Sequence, residues 1–331
     1  MFRLRNRTLF SLILFSLSVS FTHAQSIPGI SEPVTLEISP SAPRPNTNVS
    51  ITAQSYATDL NRASITWYVN SKSFKKGTGV TEITIPSGKA GTRTVVSIDV
   101  SATDIGFTSN EISFRPADVT LAWKTDGYIP PFYRGKALLA YGSSFKVTAV
   151  PEIFATNGKR VDSKTLVYTW KKNGTVDAAQ SGTGKDTFTG SQSSFVRGGD
   201  DISVEVSTAS HDTIAVNRIT LSPGTPEVLF YENSPLYGVI FEKNLTSPFY
   251  LAVEELTLRA EPFNISTANP LSGSISLDWN LNGTPVEEFE GKNEVTLRTT
   301  GSSGGRSIID FNTQHKKQML QAGKASITII Q

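Results

Sequence analysis

The sequence contains no cysteine and only three histidines among its 331 residues. Without cysteine the fold cannot use disulfides, and a lipid anchor attached to cysteine is excluded. The chain also lacks a strong charge of one sign, because 31 Lys and Arg stand against 29 Asp and Glu. A near-neutral surface offers no electrostatic footprint for nucleic acid, whose binding depends on clustered Lys and Arg. We therefore expect no nucleic-acid partner, and each domain must be stabilised by hydrophobic burial alone.

Long apolar runs are also absent, except for one at the N-terminus. Arg3, Arg5 and Arg7 precede an apolar run of 13 residues over 9–21, and Thr22-His23-Ala24 follow it. A positive flank, a short apolar stretch and small residues in this order are typical of a secretory signal peptide. The run is shorter than the roughly 20 residues that a spanning helix needs. We predict cleavage after Ala24, export to the periplasm, cell surface or medium, and no membrane span after cleavage; retention of the segment as an anchor is the alternative.

A repeat of domain length organises the rest of the sequence. Trp67, Trp170 and Trp279 are separated by 103 and 109 residues, and each is followed three residues later by Asn. A glycine comes 10 to 12 residues after each Trp, and an alternating strand and a closing strand follow. Period-two alternation, β-branched residues and Gly, Pro, Asn and Ser turns predict antiparallel sandwiches. Helical periodicity is nearly absent beyond residue 24.

The predicted fold class is therefore all-β: three tandem immunoglobulin-like antiparallel β-sandwiches after an N-terminal signal peptide. The predicted segments are a signal peptide at 1–24 and immunoglobulin-like domains at 25–116, 117–223 and 224–331. We expect Trp67, Trp170 and Trp279 to be structural core residues on the central strand of each domain, because one large ring can fill the space between two sheets. The Asn-Gly pairs at 173–174 and 282–283 predict type I′ hairpin turns.

Units of about 100 residues with a Trp-x-x-Asn-Gly hairpin resemble bacterial immunoglobulin-like and PKD-type modules. The Asp-Phe-Gly-Asp-Gly stretch that commonly follows the Trp of PKD modules is missing here, so the generic immunoglobulin-like description fits better. Over residues 25–331 the chain also resembles exported three-domain proteins of reduced-genome bacteria. That likeness implies no particular activity.

Chemistry-bearing motifs are few. Residues 301–305 match a nucleophile elbow in their letters, but they join two strands instead of a strand and a helix. Asp200 and Asp201 offer two carboxylates, fewer than the six to eight oxygens that Ca²⁺ takes. His211 and His315 occupy corresponding places after the sixth strand of a repeat, which repeat geometry explains without catalysis. We predict no enzyme activity, no cofactor and no metal site.

Two insertions, between the first and second strands of domains 2 and 3, are the most informative features outside the core. Each carries Pro, a large apolar residue, Tyr and Gly in that order. Aromatics and Arg in a proline-stiffened loop give contact area at low entropic cost. The candidate contact residues for a protein or glycan partner are Tyr128, Phe132, Tyr133, Arg134, Leu236 and Tyr237. The alternative is that each loop packs over the junction with the preceding domain.

These patterns favour a non-enzymatic exported protein that acts as a surface or secreted scaffold, adhesin-like or a component of envelope assembly. The alternative function is a carbohydrate-binding accessory protein that uses the aromatic loops of domains 2 and 3. The two functions differ in whether those loops are exposed to a ligand or buried between domains.

The predicted cleavage can be checked directly. We expect the exported protein to begin at Gln25, as measured by intact mass and N-terminal sequencing. An Ala24→Asp variant should keep the N-terminal segment and stay with the membrane fraction, because signal peptidase requires a small residue at this site. An exported wild-type chain that still carries residues 1–24 would contradict the prediction.

Overall fold

The computed structural model of the chain describes residues 32–192, 198–252, 254–298 and 305–331. Within these ranges the protein is all-β and contains no α-helix, as the sequence predicts. Four short 3₁₀ turns are present, at Leu60–Arg62, Ser163–Thr165, Pro270–Ser272 and Glu287–Phe289. The predicted signal peptide and the first four residues of the elbow-like motif at 301–305 lie outside the described residues.

The strands form three successive β-sandwiches, which we call units 1, 2 and 3. The strands of unit 1 are β1 (Thr35–Ser39), β2 (Asn48–Gln54), β3 (Ser64–Val69), β4 (Lys72–Thr78), β5 (Glu82–Pro86), β6 (Thr94–Ala102) and β7 (Gly106–Phe114). The strands of unit 2 are β8 (Asp118–Thr125), β9 (Ser144–Glu152), β10 (Val167–Lys172), β11 (Thr175–Val176), β12 (Gly182–Thr183), β13 (Thr187–Ser191), β14 (Asp200–Ser207) and β15 (Ile214–Leu221). The strands of unit 3 are β16 (Glu227–Ser234), β17 (Gly238–Val239), β18 (Phe249–Tyr250), β19 (Glu255–Phe263), β20 (Ile275–Leu281), β21 (Thr284–Pro285), β22 (Glu294–Arg298), β23 (Arg306–His315) and β24 (Ala322–Ile330).

All three units share one strand order. In unit 1 the sheets are β1-β2-β5 and β4-β3-β6-β7, and in unit 2 they are β8-β9-β13 and β11-β10-β14-β15, with β12 also on β10. In unit 3 they are β17-β16-β19-β22 and β18-β24-β23-β20-β21, where only the β18–β24 pair is parallel. In the constant-type immunoglobulin sandwich the fourth strand joins the sheet of the first, second and fifth strands. Here the fourth strand pairs with the third instead, a detail of topology that the sequence pattern did not predict.

Side-chain alternation explains how each strand faces the core. In β6, Val96, Ile98 and Val100 are buried, while the residues between them are only partly buried. Three separate hydrophobic cores result, one inside each unit. Phe114 belongs to the core of unit 1 and Ala117 to that of unit 2, so the core changes close to residue 116. Whether each unit folds alone between the predicted boundaries stays a prediction.

A buried tryptophan occupies the third strand of every unit. Trp67, Trp170 and Trp279 lie on β3, β10 and β20, and all three side chains are removed from solvent. Each indole N–H donates to one backbone carbonyl, because a polar group buried without a partner would be costly. The acceptors are the carbonyls of Val80 for Trp67 (2.7 Å), Lys185 for Trp170 (2.8 Å) and Lys292 for Trp279 (2.8 Å).

The indole bond explains the glycine that recurs after each Trp. The residue before each acceptor is a glycine with positive φ, namely Gly79, Gly184 and Gly291. At Gly79 and Gly184 an added Cβ would lie 2.8 and 2.9 Å from a backbone carbonyl oxygen of the loop before the Trp strand. Positive φ and this close approach both favour glycine. The glycine therefore aims the carbonyl that holds the indole.

The Asn three residues after each Trp clamps the third strand to the sixth. Asn70, Asn173 and Asn282 have φ values of 50°, 51° and 52°, as the type I′ turns at 173 and 282 require. In each unit the Asn backbone N–H donates to a carbonyl of the sixth strand, and the Asn Oδ1 accepts the N–H of that same residue. The partners are Val95 for Asn70, Asp201 for Asn173 and Ile308 for Asn282, at 2.8 to 3.0 Å.

We expect Asn282→Ala to lower the free energy of unfolding by about 2 kcal/mol, because it removes the side-chain acceptor and places a Cβ residue at positive φ. Asn282→Gly keeps the backbone conformation at no steric cost and should lose only about 1 kcal/mol. Urea unfolding followed by tryptophan fluorescence measures both values. Equal losses for Ala and Gly would show that the left-handed turn contributes nothing.

Candidate functional site

The loop between β8 and β9, residues 126–143, extends from unit 2 across unit 3. The Tyr128 backbone N–H donates to the Ile265 carbonyl at 3.0 Å, and the Tyr128 side chain is buried. The connection between the units is tied to the same loop, since the Gly224 N–H donates to the Leu139 carbonyl at 2.8 Å. The loop and the connection therefore hold unit 3 together.

Aromatic rings fill the centre of this junction. Phe132 from unit 2 stacks on Phe241 of unit 3 with ring centroids 4.1 Å apart. Its edge contacts are Tyr231 at 5.5 Å and Phe263 at 6.2 Å. The Arg259 guanidinium lies 5.7 Å from the Phe241 ring centroid, in cation–π distance. The predicted contact residue Phe132 is thus the anchor of an internal interface.

A charged network runs beside these rings. The Tyr128 hydroxyl donates to Oε1 of Glu261 at 2.5 Å, and Arg259 donates to Oε2 of Glu261 at 2.9 Å. Arg259 also pairs with Glu294 at 2.8 Å. The Glu261 side chain is fully buried, so both of its carboxylate oxygens are satisfied inside the junction. Burial, and then the hydrogen bond to the Glu261 carboxylate, raise the pKa of the Tyr128 hydroxyl well above its usual range.

A second buried polar cluster joins the same two units. The buried Gln321 donates from Nε2 to the Tyr141 carbonyl at 2.6 Å and accepts the Ser266 N–H at 2.8 Å. Ser143 and Ser266 share a hydroxyl hydrogen bond of 2.5 Å. At Gly142 an added Cβ would lie 2.5 Å from Oε1 of Gln318, so the loop approaches unit 3 closely there. These contacts fix the position of the loop along unit 3.

The junction between units 1 and 2 is smaller and more polar. The Ala117 N–H donates to the Pro43 carbonyl at 3.1 Å, and Arg44 lies 3.6 Å from the Asp118 carboxylate. Both charged side chains of this pair are about half exposed, and such pairs contribute little. An added Cβ on Gly91 would lie 2.5 Å from Cβ of Phe154 in unit 2.

Both junctions are made in the same direction. The loop after the first strand of a unit, 40–47 in unit 1 and 126–143 in unit 2, contacts the following unit. Packing over the preceding domain, the junction alternative considered from the sequence, is therefore the wrong direction for the unit 2 loop. A first strand runs from the start of its unit to the far end, so the loop after it faces the next unit.

The six predicted contact residues separate into two groups. Tyr128 and Phe132 lie inside the junction of units 2 and 3, and Tyr133 is half-buried with its ring over Gly135. Arg134 is exposed. Leu236 and Tyr237 are 85% and 81% exposed at the turn between β16 and β17. Contact of these residues with an external ligand or partner stays a proposal.

Three functional residues of the junction were missed from the sequence: Arg259, Glu261 and Gln321. A signal existed for Glu261, which occupies a strand of alternating apolar residues and is followed by Pro262 and Phe263. A carboxylate at a buried strand position calls for a basic partner, and Arg259 lies two residues away on the same strand. Nothing in the sequence links either residue to Tyr128.

The remaining sequence candidates hold the fold. Asp200 is fully buried and pairs with Lys172 at 3.1 Å, and Asp201 accepts the Thr220 hydroxyl at 2.5 Å. The ring nitrogen Nδ1 of His315 accepts the N–H groups of Lys317 and Gln318, which closes the turn before β24. Among the described residues, no three His, Asp or Glu side chains lie close enough together to hold a metal ion. No helix in the described ranges is long and apolar enough to span a bilayer.

The chain matches no family model and no curated protein sequence. Similar solved structures include three N-terminal domains of the highly immunogenic outer capsid protein of bacteriophage RB49, at 13% identity, 91% coverage of this chain, 99% of that chain and a TM-score of 0.26. A bacterial ice-binding adhesin matches at 9% identity, 90% and 96% coverage and a TM-score of 0.25. The fibronectin-III array of RIM-binding protein matches at 14% identity, 91% and 96% coverage and a TM-score of 0.29. At these TM-scores the immunoglobulin-like assignment rests on the strand pairing of this chain itself.

Tyr128→Phe tests the charged network. The variant leaves a fully buried carboxylate oxygen without its hydroxyl donor, which should cost about 1–3 kcal/mol of the free energy of unfolding. Tyr168→Phe is the matched control, because the Tyr168 hydroxyl bonds within unit 2 to the Ser163 carbonyl at 3.0 Å. It should cost about 1 kcal/mol. Equal losses in the two variants would argue against a charge-assisted bond at the junction.

The same tyrosine predicts a dependence on alkaline pH. A folded-state pKa above the unfolded value of about 10 means that the stabilisation is complete below pH 10 and is lost as the pH rises further. Burial raises the pKa of Tyr168 to about 12, with a smaller contribution from Asp186, so that residue adds to the loss. Denaturant unfolding from pH 8 to 11 should show a shallower decline for Tyr128→Phe than for the wild type. Parallel declines would be the contrary result.

Proposed function

We propose that this chain is an exported, non-enzymatic scaffold whose three immunoglobulin-like units form a stiff spacer. It would act at the cell surface or in the medium, as an adhesin-like protein or a component of envelope assembly. The observation that carries the proposal is the junction of units 2 and 3, where Phe132 and Glu261 are held in buried contacts.

The physical argument concerns bending between units. Relative motion of domains is the default where the interface is small and the linker is flexible. At this junction, the connecting residue Gly224 is itself hydrogen-bonded to Leu139 of the loop, and Gln321 bridges the units from a buried position. Bending here would expose Glu261 and Gln321 without their partners, which is costly for buried polar groups. Stiffness is a property that a spacer needs and that a catalytic pocket does not supply.

The argument against catalysis is indirect. The buried ionisable groups of the described residues, such as Asp200 and Glu261, are engaged in pairs that hold hairpins or junctions. Export is proposed from the N-terminal sequence pattern alone. The partner is proposed to be a protein or a glycan, contacted by exposed side chains such as Arg134, Leu236 and Tyr237.

Small-angle scattering on the purified full chain tests the stiffness. We expect the wild-type curve to fit one extended conformation, and Phe132→Ala to give a broader distribution of sizes, because it removes the ring at the centre of the junction. The lost burial should also lower the free energy of unfolding by about 1.5–3 kcal/mol. Phe74→Ala on the exposed strand β4 is the control and should change neither result. A wild-type curve that requires freely jointed units would overturn the proposal.

The carbohydrate-binding alternative is distinguished by the exposed part of the loops. Arg134 and Tyr237 retain the exposure that a sugar-stacking surface requires. Binding on a glycan array that is lost in both Arg134→Ala and Tyr237→Ala, with unchanged scattering, would favour that alternative over the spacer alone.

A further inference from the structure

The two junctions follow one rule, in which the loop after the first strand of a unit reaches the next unit. In unit 1 this loop supplies the Pro43 carbonyl and Arg44 to unit 2. In unit 2 it supplies Tyr128 and Phe132 to unit 3. The corresponding loop of unit 3 begins after Ser234, at the turn that carries Leu236 and Tyr237.

The receiving side of each junction is equally regular. Phe154 lies two residues after β9, and Ile265 lies two residues after β19. Phe154 contacts Gly91 of unit 1, and the Ile265 carbonyl accepts the Tyr128 N–H of unit 2. The residue at the same position of unit 1, two residues after β2, is Tyr56, and it is fully exposed at 102%. Unit 1 thus presents an aromatic side chain where units 2 and 3 are covered by a neighbour.

The exposed loop of unit 3 lies at the end of the unit that faces away from unit 2. Gln321, just before β24, contacts unit 2, so β24 runs from that junction to the opposite end. Tyr250 pairs with Ile330 at the end of β24 and is 69% exposed. The first strand β16 also starts beside unit 2 and ends at Ser234, which places the turn with Leu236 and Tyr237 at the same far end.

We infer that copies of this chain associate head to tail, with the far end of unit 3 in one copy against the near end of unit 1 in the next. The contact would place Leu236, Tyr237 and Tyr250 against the surface around Tyr56. A second copy is the occupant favoured by the structure, because both internal junctions already join this kind of loop to this kind of surface. Tyrosines are enriched among the residues that carry binding energy at interfaces, and these are nearly fully exposed.

Such a contact is heterologous, since two different surfaces of the chain meet. A heterologous contact leaves a free end of each kind after every addition, so it builds chains of copies unless the rotation closes a ring. This inference goes beyond the proposed spacer, because the association of copies and the stiffness of one copy are measured separately.

Sedimentation velocity over a concentration series tests the inference with two blocked variants. Tyr237→Asp blocks the far end and Tyr56→Asp blocks the near end, while Phe74→Ala serves as an exposed aromatic control. We expect the average mass of the wild type and of Phe74→Ala to rise with concentration. Each blocked variant should weaken association about tenfold or more, as loss of an interface hot spot does. Thermal unfolding should be unchanged, since both positions are exposed.

An equimolar mixture of the two blocked variants gives the sharpest result. Each mixed pair retains one intact far end and one intact near end, so the mixture should form dimers and nothing larger. A wild type that stays monomeric up to about millimolar concentration, the weak limit of useful affinity, would overturn the inference and leave these ends to a different partner. Association that neither variant weakens, or a mixture without dimers, would overturn it as well. A lone scattering result on stiffness would not, which separates this test from that of the spacer.

Discussion

The buried indole on the third strand is the interaction on which the rest of each unit depends. With no disulfide between its sheets, each sandwich has one Trp that fills the core and fastens its N–H to the loop after the fourth strand. That bond fixes the glycine turn, and the Asn three residues later fixes the third strand to the sixth. The two faces of the sandwich are thereby registered against each other by hydrogen bonds that sit around one ring.

The sequence predicted those features whose cause is local. A large apolar residue on an alternating strand, an Asn-Gly turn and a repeated spacing are written in neighbouring residues, so Trp170 and the turn at 173–174 were found. The sheet to which the fourth strand belongs was not predicted, because β11 has two residues and its choice of neighbour depends on the whole sandwich. Period alone cannot distinguish the two pairings.

The junction shows the same limit more clearly. Tyr128 and Phe132 were identified as contact residues from their composition, but the sequence could not say that the contact is internal. That answer depends on Glu261 and Phe241, more than 100 residues further along the chain. The pairing of a tyrosine with a buried carboxylate in another unit has no signature in local spacing. The direction of packing follows from the path of the first strand, which becomes clear only when strands are placed in three dimensions.

A buried charge at an interface acts as a positioning device as well as a stabilising one. The carboxylate of Glu261 is tolerated in the interior only when both Tyr128 and Arg259 reach it, so small displacements of unit 3 are penalised more steeply than apolar packing would penalise them. The aromatic rings supply area, and the carboxylate supplies the requirement for one geometry.

The two joints also differ in how the surrounding electrolyte reaches them. Arg44 and Asp118 are half in water, where dissolved ions screen their attraction over distances of about a Debye length, roughly 8 Å at physiological ionic strength. The carboxylate between units 2 and 3 is shielded by protein on all sides. Brackish or concentrated media should therefore loosen the first joint and leave the second unaltered, so that the molecule bends at one place when its surroundings become salty.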